Sequence, residues 1–128
     1  MIAGIGIDLI EIESIAANLH SKHFLRKVFT EAEIEECQSM ANSTERFAGK
    51  FAVKEACMKA VGKGIRQGTW FTQIEVLNEE SGAPFVRVSG EMENSVKAIG
   101  MSKIHVSVTH TKSAAAAVVI LERLDDKS

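Results

Sequence analysis

The chain has 128 residues, 45% hydrophobic and 25% charged, with a formal net charge of −2. That length suits one domain with a modest core, and the composition is that of a soluble globular protein. The near-neutral charge excludes a polyanion binder acting by bulk attraction, and no aromatic–basic platform for nucleic acid is visible; any basic partner surface must be local.

The opening MIAGIGIDLIE has no basic start and turns acidic at Asp8, so neither a signal peptide nor a membrane span is expected. Ile2 to Ile7 reads as a first strand, and Glu11 to Leu19 shows helical spacing at Ile12, Ile15, Ala16 and Leu19. Phe24 to Phe29 reads as a short helical turn. Thr30 and Glu33 form a capping box for a helix running to about Met40. Ser43 or Thr44 is expected to cap a long helix that Gly62 and Gly64 end. Phe71 to Leu77 and Phe85 to Val88 form a hairpin across NEESGAP, and Gly90 to Ile99 a further helix. Ile104 to Val108 and Ala115 to Leu121 close the chain as a second hairpin across HTKS. Strand, helices, hairpin, helix and hairpin predict an α+β fold, an antiparallel sheet with a long central helix. A single domain over 1–124 is expected, with a frayed tail over 125–128. Cys37 and Cys57 lack metal-type spacing and fall in predicted helices, which points to reduced thiols in a cytoplasmic protein.

Polar residues stand in apolar surroundings at three places in the chain. In the long helix, Phe47, Phe51 and Met58 share a sector at about 100° per residue; Glu55 lies beside it and Lys59 beside Glu55. Ala48, Ala52, Ala56 and Ala60 flank this pair and leave room for something to approach. Glu55 and Lys59 are either an ordinary surface ion pair or part of a site. On the first strand, parity puts Gly4, Gly6 and Asp8 on one side and Ile5, Ile7 and Leu9 on the other. The glycines let a ligand or another backbone come close to Asp8, while Asp8 with Glu11 also fits a helix cap. In IHVSVTHTK, His110 ends a stripe of Ile104, Val106 and Val108. It is either structural or, with Thr111 and Lys112, suited to an anion. Two carboxylates from separate elements suffice for Mg²⁺, which keeps waters and takes substrate phosphates as further ligands. A Walker A loop is not present in AVGKGI, since no Ser or Thr follows Lys63.

GIGIDLIEI, RFAGKFAVKEACMKAVGKGI and HVSVTHTKSAAAAVVILE, in that order, resemble the holo-acyl-carrier-protein synthases, the small bacterial 4′-phosphopantetheinyl transferases. The likeness covers nearly the whole chain, and its most specific block is F-A-x-K-E-A-x-x-K-A. It implies a 4′-phosphopantetheinyl transferase-like fold and transfer of 4′-phosphopantetheine from coenzyme A to a serine of apo-acyl carrier protein, as a step of fatty acid biosynthesis. Adenosine 3′,5′-bisphosphate would be the by-product. The resemblance further implies that Asp8 and Glu55 bind Mg²⁺, that Lys59 contacts the phosphates and that His110 lines the site. Gly62, Pro84 and Thr111 are then expected beside coenzyme A. Glu55, or a water it activates, is the preferred base, with His110 the alternative. A homotrimer with active sites between subunits is implied too.

Three departures bear on contacts rather than chemistry. Ser14 stands where relatives often carry a basic residue, and His20, Lys22, His23, Arg26 and Lys27 offer a softer basic patch for the carrier protein. The turn near the adenosine end is Ser81-Gly82-Ala83-Pro84. Lys63, within Gly62-Lys63-Gly64, adds a charge that would suit a nucleotide phosphate. Two other readings use the same residues: a Mg²⁺-dependent phosphoesterase, and a nucleotide-binding module without turnover.

Overall fold

The structure, a computed structural model, describes residues 1–62 and 69–124. Along the chain lie β1 (Ile2–Glu11), α1 (Ile12–Ala16), α2 (Lys22–Val28), α3 (Glu31–Gln38) and α4 (Ser43–Val61). A 3-10 turn (Phe71–Gln73), β2 (Ile74–Asn78), β3 (Pro84–Val88), α5 (Gly90–Ala98), β4 (Lys103–His110) and β5 (Ala114–Glu122) follow. The expected α+β class and antiparallel pairing hold. β5 lies between β1 and β4 in one sheet, and β2 pairs with β3 in another. Gly64, Lys63 and the tail over 125–128 fall outside the described residues.

The core forms where α4 crosses the inner face of the β1-β5-β4 sheet. Strand alternation on β5 buries Ala115, Ala117, Val119 and Leu121; α4 meets the last three with Ala52, Val53, Ala56 and Cys57, and Ala115 with Phe47 and Ala48. Gly62 ends α4 in the left-handed conformation (φ 73°), as expected of a helix-terminating glycine. At the other end the cap position is Asn42, not Ser43 or Thr44, and no side-chain bond caps it. Burial pushes the Cys37 and Cys57 thiols up to about 12, so both are inert.

β1 is longer than its sequence suggests because pairing with β5 continues from Asp8↔Ala117 to Glu11↔Ala114. The following helix is correspondingly reduced to α1, with Glu11 at its cap position and no side-chain bond there. Asp8 therefore lies within a strand and does not cap a helix. The glycines of β1 and the alanines of α4 clear space for each other, backbone against backbone. A Cβ on Gly6 would run into the Ala56 carbonyl oxygen and come within 2.8 Å of the Ala60 nitrogen; on Gly4 it would meet the Ala60 carbonyl. Gly6→Ala is thus expected to cost about 1–3 kcal/mol in urea denaturation by forcing β1 off α4. Any activity that depends on Asp8 should fall further than stability alone predicts, since Asp8 moves with the strand. An unchanged denaturation midpoint would show that the two elements can part freely.

The outer edge of β2 has no strand beside it among the described residues. Side chains close it instead. Val76 N–H donates to Glu33 Oε2 (2.6 Å) and Asn78 N–H to Glu36 Oε2 (3.1 Å). Lys54 Nζ donates to the carbonyls of Ile74 and Phe71, and Lys50 Nζ to the Val76 carbonyl (2.5 Å). Each ammonium also meets a carboxylate: Lys54 pairs with Glu33 at 2.8 Å and Lys50 with Glu36 at 2.5 Å. Two residues from α3 and two from α4 thereby replace a neighbouring strand, satisfying backbone groups that burial would otherwise leave unpaired. The Thr30–Glu33 capping box is present as expected, and Glu33 does this second job with its other oxygen.

Candidate active site

Asp8, Glu55 and Lys59 come together where β1 lies on the C-terminal half of α4. The close approach at Gly6 brings this about, by setting the strand down beside Ala56 and Ala60. Asp8 is buried at 8% exposure, and its Oδ2 is buried without a hydrogen-bond partner. Its Oδ1 accepts from Lys59 Nζ at 3.0 Å, and the same ammonium donates to the Ile7 carbonyl at 3.1 Å. Lys59 therefore pairs across to the strand, not along its own helix to Glu55. Burial, and then the facing Asp8 charge, push the Glu55 pKa up, while Lys59 pulls it down. Two hard oxygen donors crowded together, one of them orphaned, suit Mg²⁺. No set of three or more His, Cys, Asp or Glu side chains clusters as a metal site among the described residues, so water and substrate would supply the remaining ligands.

His110 is elsewhere. β4 and β1 lie on opposite sides of β5, so one copy of the chain keeps His110 apart from the carboxylate pair. Its exposed ring lines a cleft of about 230 Å³ together with Arg46, Lys50, Asn78, Pro84 and Val108. Thr111 follows at the turn, where its hydroxyl accepts from the N–H groups of Ser113 and Ala114 and fixes the backbone beside His110. Gly62 ends α4, three residues beyond Lys59. Pro84 opens β3 in the same cleft as His110; Asn78, whose amide donates to the Gly82 carbonyl (2.8 Å), holds the turn before it. The predicted residues thus fall into two groups, at opposite edges of the sheet.

Arg46 and Lys50 escaped the sequence reading. The signal was available: they lie four residues apart on α4, a cationic row on one helical face. Lys50 is nevertheless committed to Glu36, Val76 and Asn78, which leaves Arg46 as the guanidinium at the cleft, steadied by Asn42 Oδ1 (3.2 Å).

The basic residues near the start of α2 form a third feature. His20, Lys22, His23, Arg26 and Lys27 are exposed beside half-buried Phe24. The Trp70 indole N–H donates to the Lys27 carbonyl (2.7 Å), and the Lys27 ammonium lies 5.6 Å from the indole centre. Trp70 pins this patch to the rest of the domain.

Residues 4–119 match the model of the 4′-phosphopantetheinyl transferase superfamily. A holo-[acyl-carrier-protein] synthase of Koribacter versatilis is 44% identical over 124 residues, covering 95% of this chain and 99% of its own. The crystal structure of the Bacillus anthracis holo-(acyl-carrier-protein) synthase in complex with CoA (3′,5′-ADP) superimposes with a TM-score of 0.81 at 37% identity, covering 97% of this chain and 99% of that one. That of the Neisseria meningitidis enzyme gives 0.85 at 28% identity, covering 96% and 100%. The fold is that of a phosphopantetheinyl transferase. Within that class the chain belongs to the holo-acyl-carrier-protein synthase family, whose reaction moves 4′-phosphopantetheine from coenzyme A to apo-acyl carrier protein. No helix among the described residues is long and apolar enough to cross a membrane.

Proposed function

We propose that Asp8, Glu55 and Lys59 carry out this transfer, and the observation that carries the proposal is the buried Asp8 carboxylate set against Glu55, whose pKa it helps raise. Asp8 and Glu55 would hold Mg²⁺, which when bound neutralises the pyrophosphate and stabilises charge on the leaving phosphate. Lys59, whose side chain is more than half exposed, would contact the same phosphates. The serine oxygen of the carrier protein attacks the phosphorus that bears the pantetheine. The bond from that phosphorus to the bridging oxygen breaks, and adenosine 3′,5′-bisphosphate leaves. Glu55, or a water it activates, takes the serine proton, with His110 the alternative acceptor. The deciding experiment is mass spectrometry of apo-carrier protein incubated with the enzyme, coenzyme A and Mg²⁺. It should gain one phosphopantetheinyl group. No gain with any of several carrier proteins would remove the assignment.

The complete site is assigned to a homotrimer. Ile5, Ile7 and Leu9 are 60%, 67% and 69% exposed on the outer face of β1. They pair across β5 with Ile120, Val118 and Ala116, which makes a continuous apolar surface. In such an assembly the His110 cleft of one subunit is proposed to meet the carboxylates of the next, which would unite the two groups. Gly62, Pro84, His110 and Thr111 would then face coenzyme A from either side. Ile7→Glu is expected to give a monomer in light scattering and to remove transfer while Asp8 stays in place. A trimeric Ile7→Glu protein would rule out this surface.

The exposed patch on α2 suits an acidic carrier protein, and its contribution should weaken as salt screens it. Two buried, unbridged thiols agree with a cytoplasmic enzyme, and fatty acid synthesis is the proposed setting.

A further inference from the structure

Lys59 occupies a position that gives it two calls on its charge. Its ammonium already neutralises Asp8, the residue that would also neutralise a metal ion. The two ends of this pair differ in freedom: the Lys59 side chain is 58% exposed and that of Asp8 9%. The carboxylate is fixed in the wall between β1 and α4, whereas the ammonium hangs on a flexible stem that solvent reaches. A dication held by the same carboxylate shares it with the ammonium, and positive charges on one carboxylate repel each other. The second oxygen, Oδ2, has no partner to offset this conflict, and Glu55 adds the other negative charge that draws a cation in.

Resting on the Mg²⁺ and coenzyme A reading above, we infer that Lys59 is an exchangeable counter-cation of Asp8. It guards the carboxylate against metal until the pyrophosphate draws the ammonium away, and so makes metal and coenzyme A bind cooperatively. Without coenzyme A, metal entry must displace or crowd Lys59. With it, the ammonium turns to the phosphates and Asp8 becomes available. Linkage requires the reverse as well: metal on Asp8 releases Lys59 to the phosphates and tightens coenzyme A by the same factor. The residue that serves the phosphates thereby also sets the order in which the site fills.

The test measures binding rather than turnover. Mn²⁺ alone is titrated into the full-length protein and followed by the electron paramagnetic resonance signal of the free ion, with and without coenzyme A. Lys59→Met should bind Mn²⁺ at least about fivefold tighter than wild type in the absence of coenzyme A. Coenzyme A should tighten Mn²⁺ binding by a larger factor in wild type than in the variant. Lys59→Arg, which keeps the charge, should stay near wild type. Lys59→Gln, neutral but still able to donate to Asp8, provides the readout if the methionine variant does not fold. Neutral variants binding Mn²⁺ no tighter than wild type, or an unchanged coupling factor, would overturn the inference. Asp8→Asn separates this from failure of the underlying reading. Wild-type Mn²⁺ affinity in that variant would place the metal elsewhere and remove both, whereas Asp8-dependent binding that Lys59 does not affect removes only the exchange.

Discussion

Transfer by Glu55→Gln is expected to fall at least about a hundredfold, read as the rate at which apo-carrier protein gains the phosphopantetheinyl mass. The amide keeps the shape of the side chain but loses both the charge that draws a cation and the capacity to take the serine proton. Stability should move the other way. Burial and Asp8 raise the Glu55 pKa above its ordinary value of 4.5, so across that interval the folded protein binds more protons than the unfolded chain. Stability in EDTA therefore declines as pH rises through the interval, and Glu55→Gln abolishes this decline. Above the interval the variant should melt at a higher temperature than wild type, although it is the poorer enzyme. Thermal melts in EDTA at several pH values check the first half, and the mass assay the second. Full Mg²⁺-dependent transfer by the variant would exclude Glu55 from the site.

Lys54→Met should destabilise the protein by about 3–5 kcal/mol, a large part of the roughly 5–15 kcal/mol that holds a domain together. Methionine nearly matches lysine in length and fits the apolar surroundings, so the loss comes from charge and hydrogen bonds rather than volume. Lys54 and Glu33 are both fully buried at 2.8 Å. Burial lowers the Lys54 pKa, and the Glu33 carboxylate opposes that shift. Removing the ammonium leaves a buried carboxylate without its counter-ion and frees the carbonyls of Phe71 and Ile74. Pairing the change with Glu33→Gln should recover part of the loss, because no lone charge then remains inside. Urea denaturation of the two single variants and the double variant measures all of this. A Lys54→Met midpoint equal to wild type would mean that the β2 edge is satisfied in some other way.

Local signals in the sequence located most elements and singled out Asp8, Glu55 and Lys59, which the fold brings together. The Thr30–Glu33 box, the glycine end of α4 and the turn-flanked strands depend on neighbours a few residues away, and all are present. Errors arose where a distant partner decided the outcome. Asp8 and Glu11 have the spacing of a helix cap, but pairing with β5 draws both into the strand. Gly4 and Gly6 were legible as a surface stripped for an approach, and so were Ala56 and Ala60. That each strips the way for the other requires knowing that β1 lies on α4. Lys54 carries no local signal of its role for the same reason, because its partners belong to α3 and to the segment before and within β2. His110 was correctly read as the polar end of a strand face. Its distance from Asp8 is a matter of strand order, which residue patterns do not encode.

β1 alternates between two tasks at single-residue spacing: Gly6 and Asp8 face α4, while Ile5, Ile7 and Leu9 face outward. A slip of one residue against β5 would exchange the faces, turning Asp8 out to solvent and driving Ile7 into space that only glycine fits. With the proposed trimer surface on one face and the proposed site on the other, assembly and catalysis would share one tolerance. Directed variation of this strand should therefore tolerate changes in pairs of positions and reject insertions or deletions of a single residue, even where the resulting composition is equally apolar.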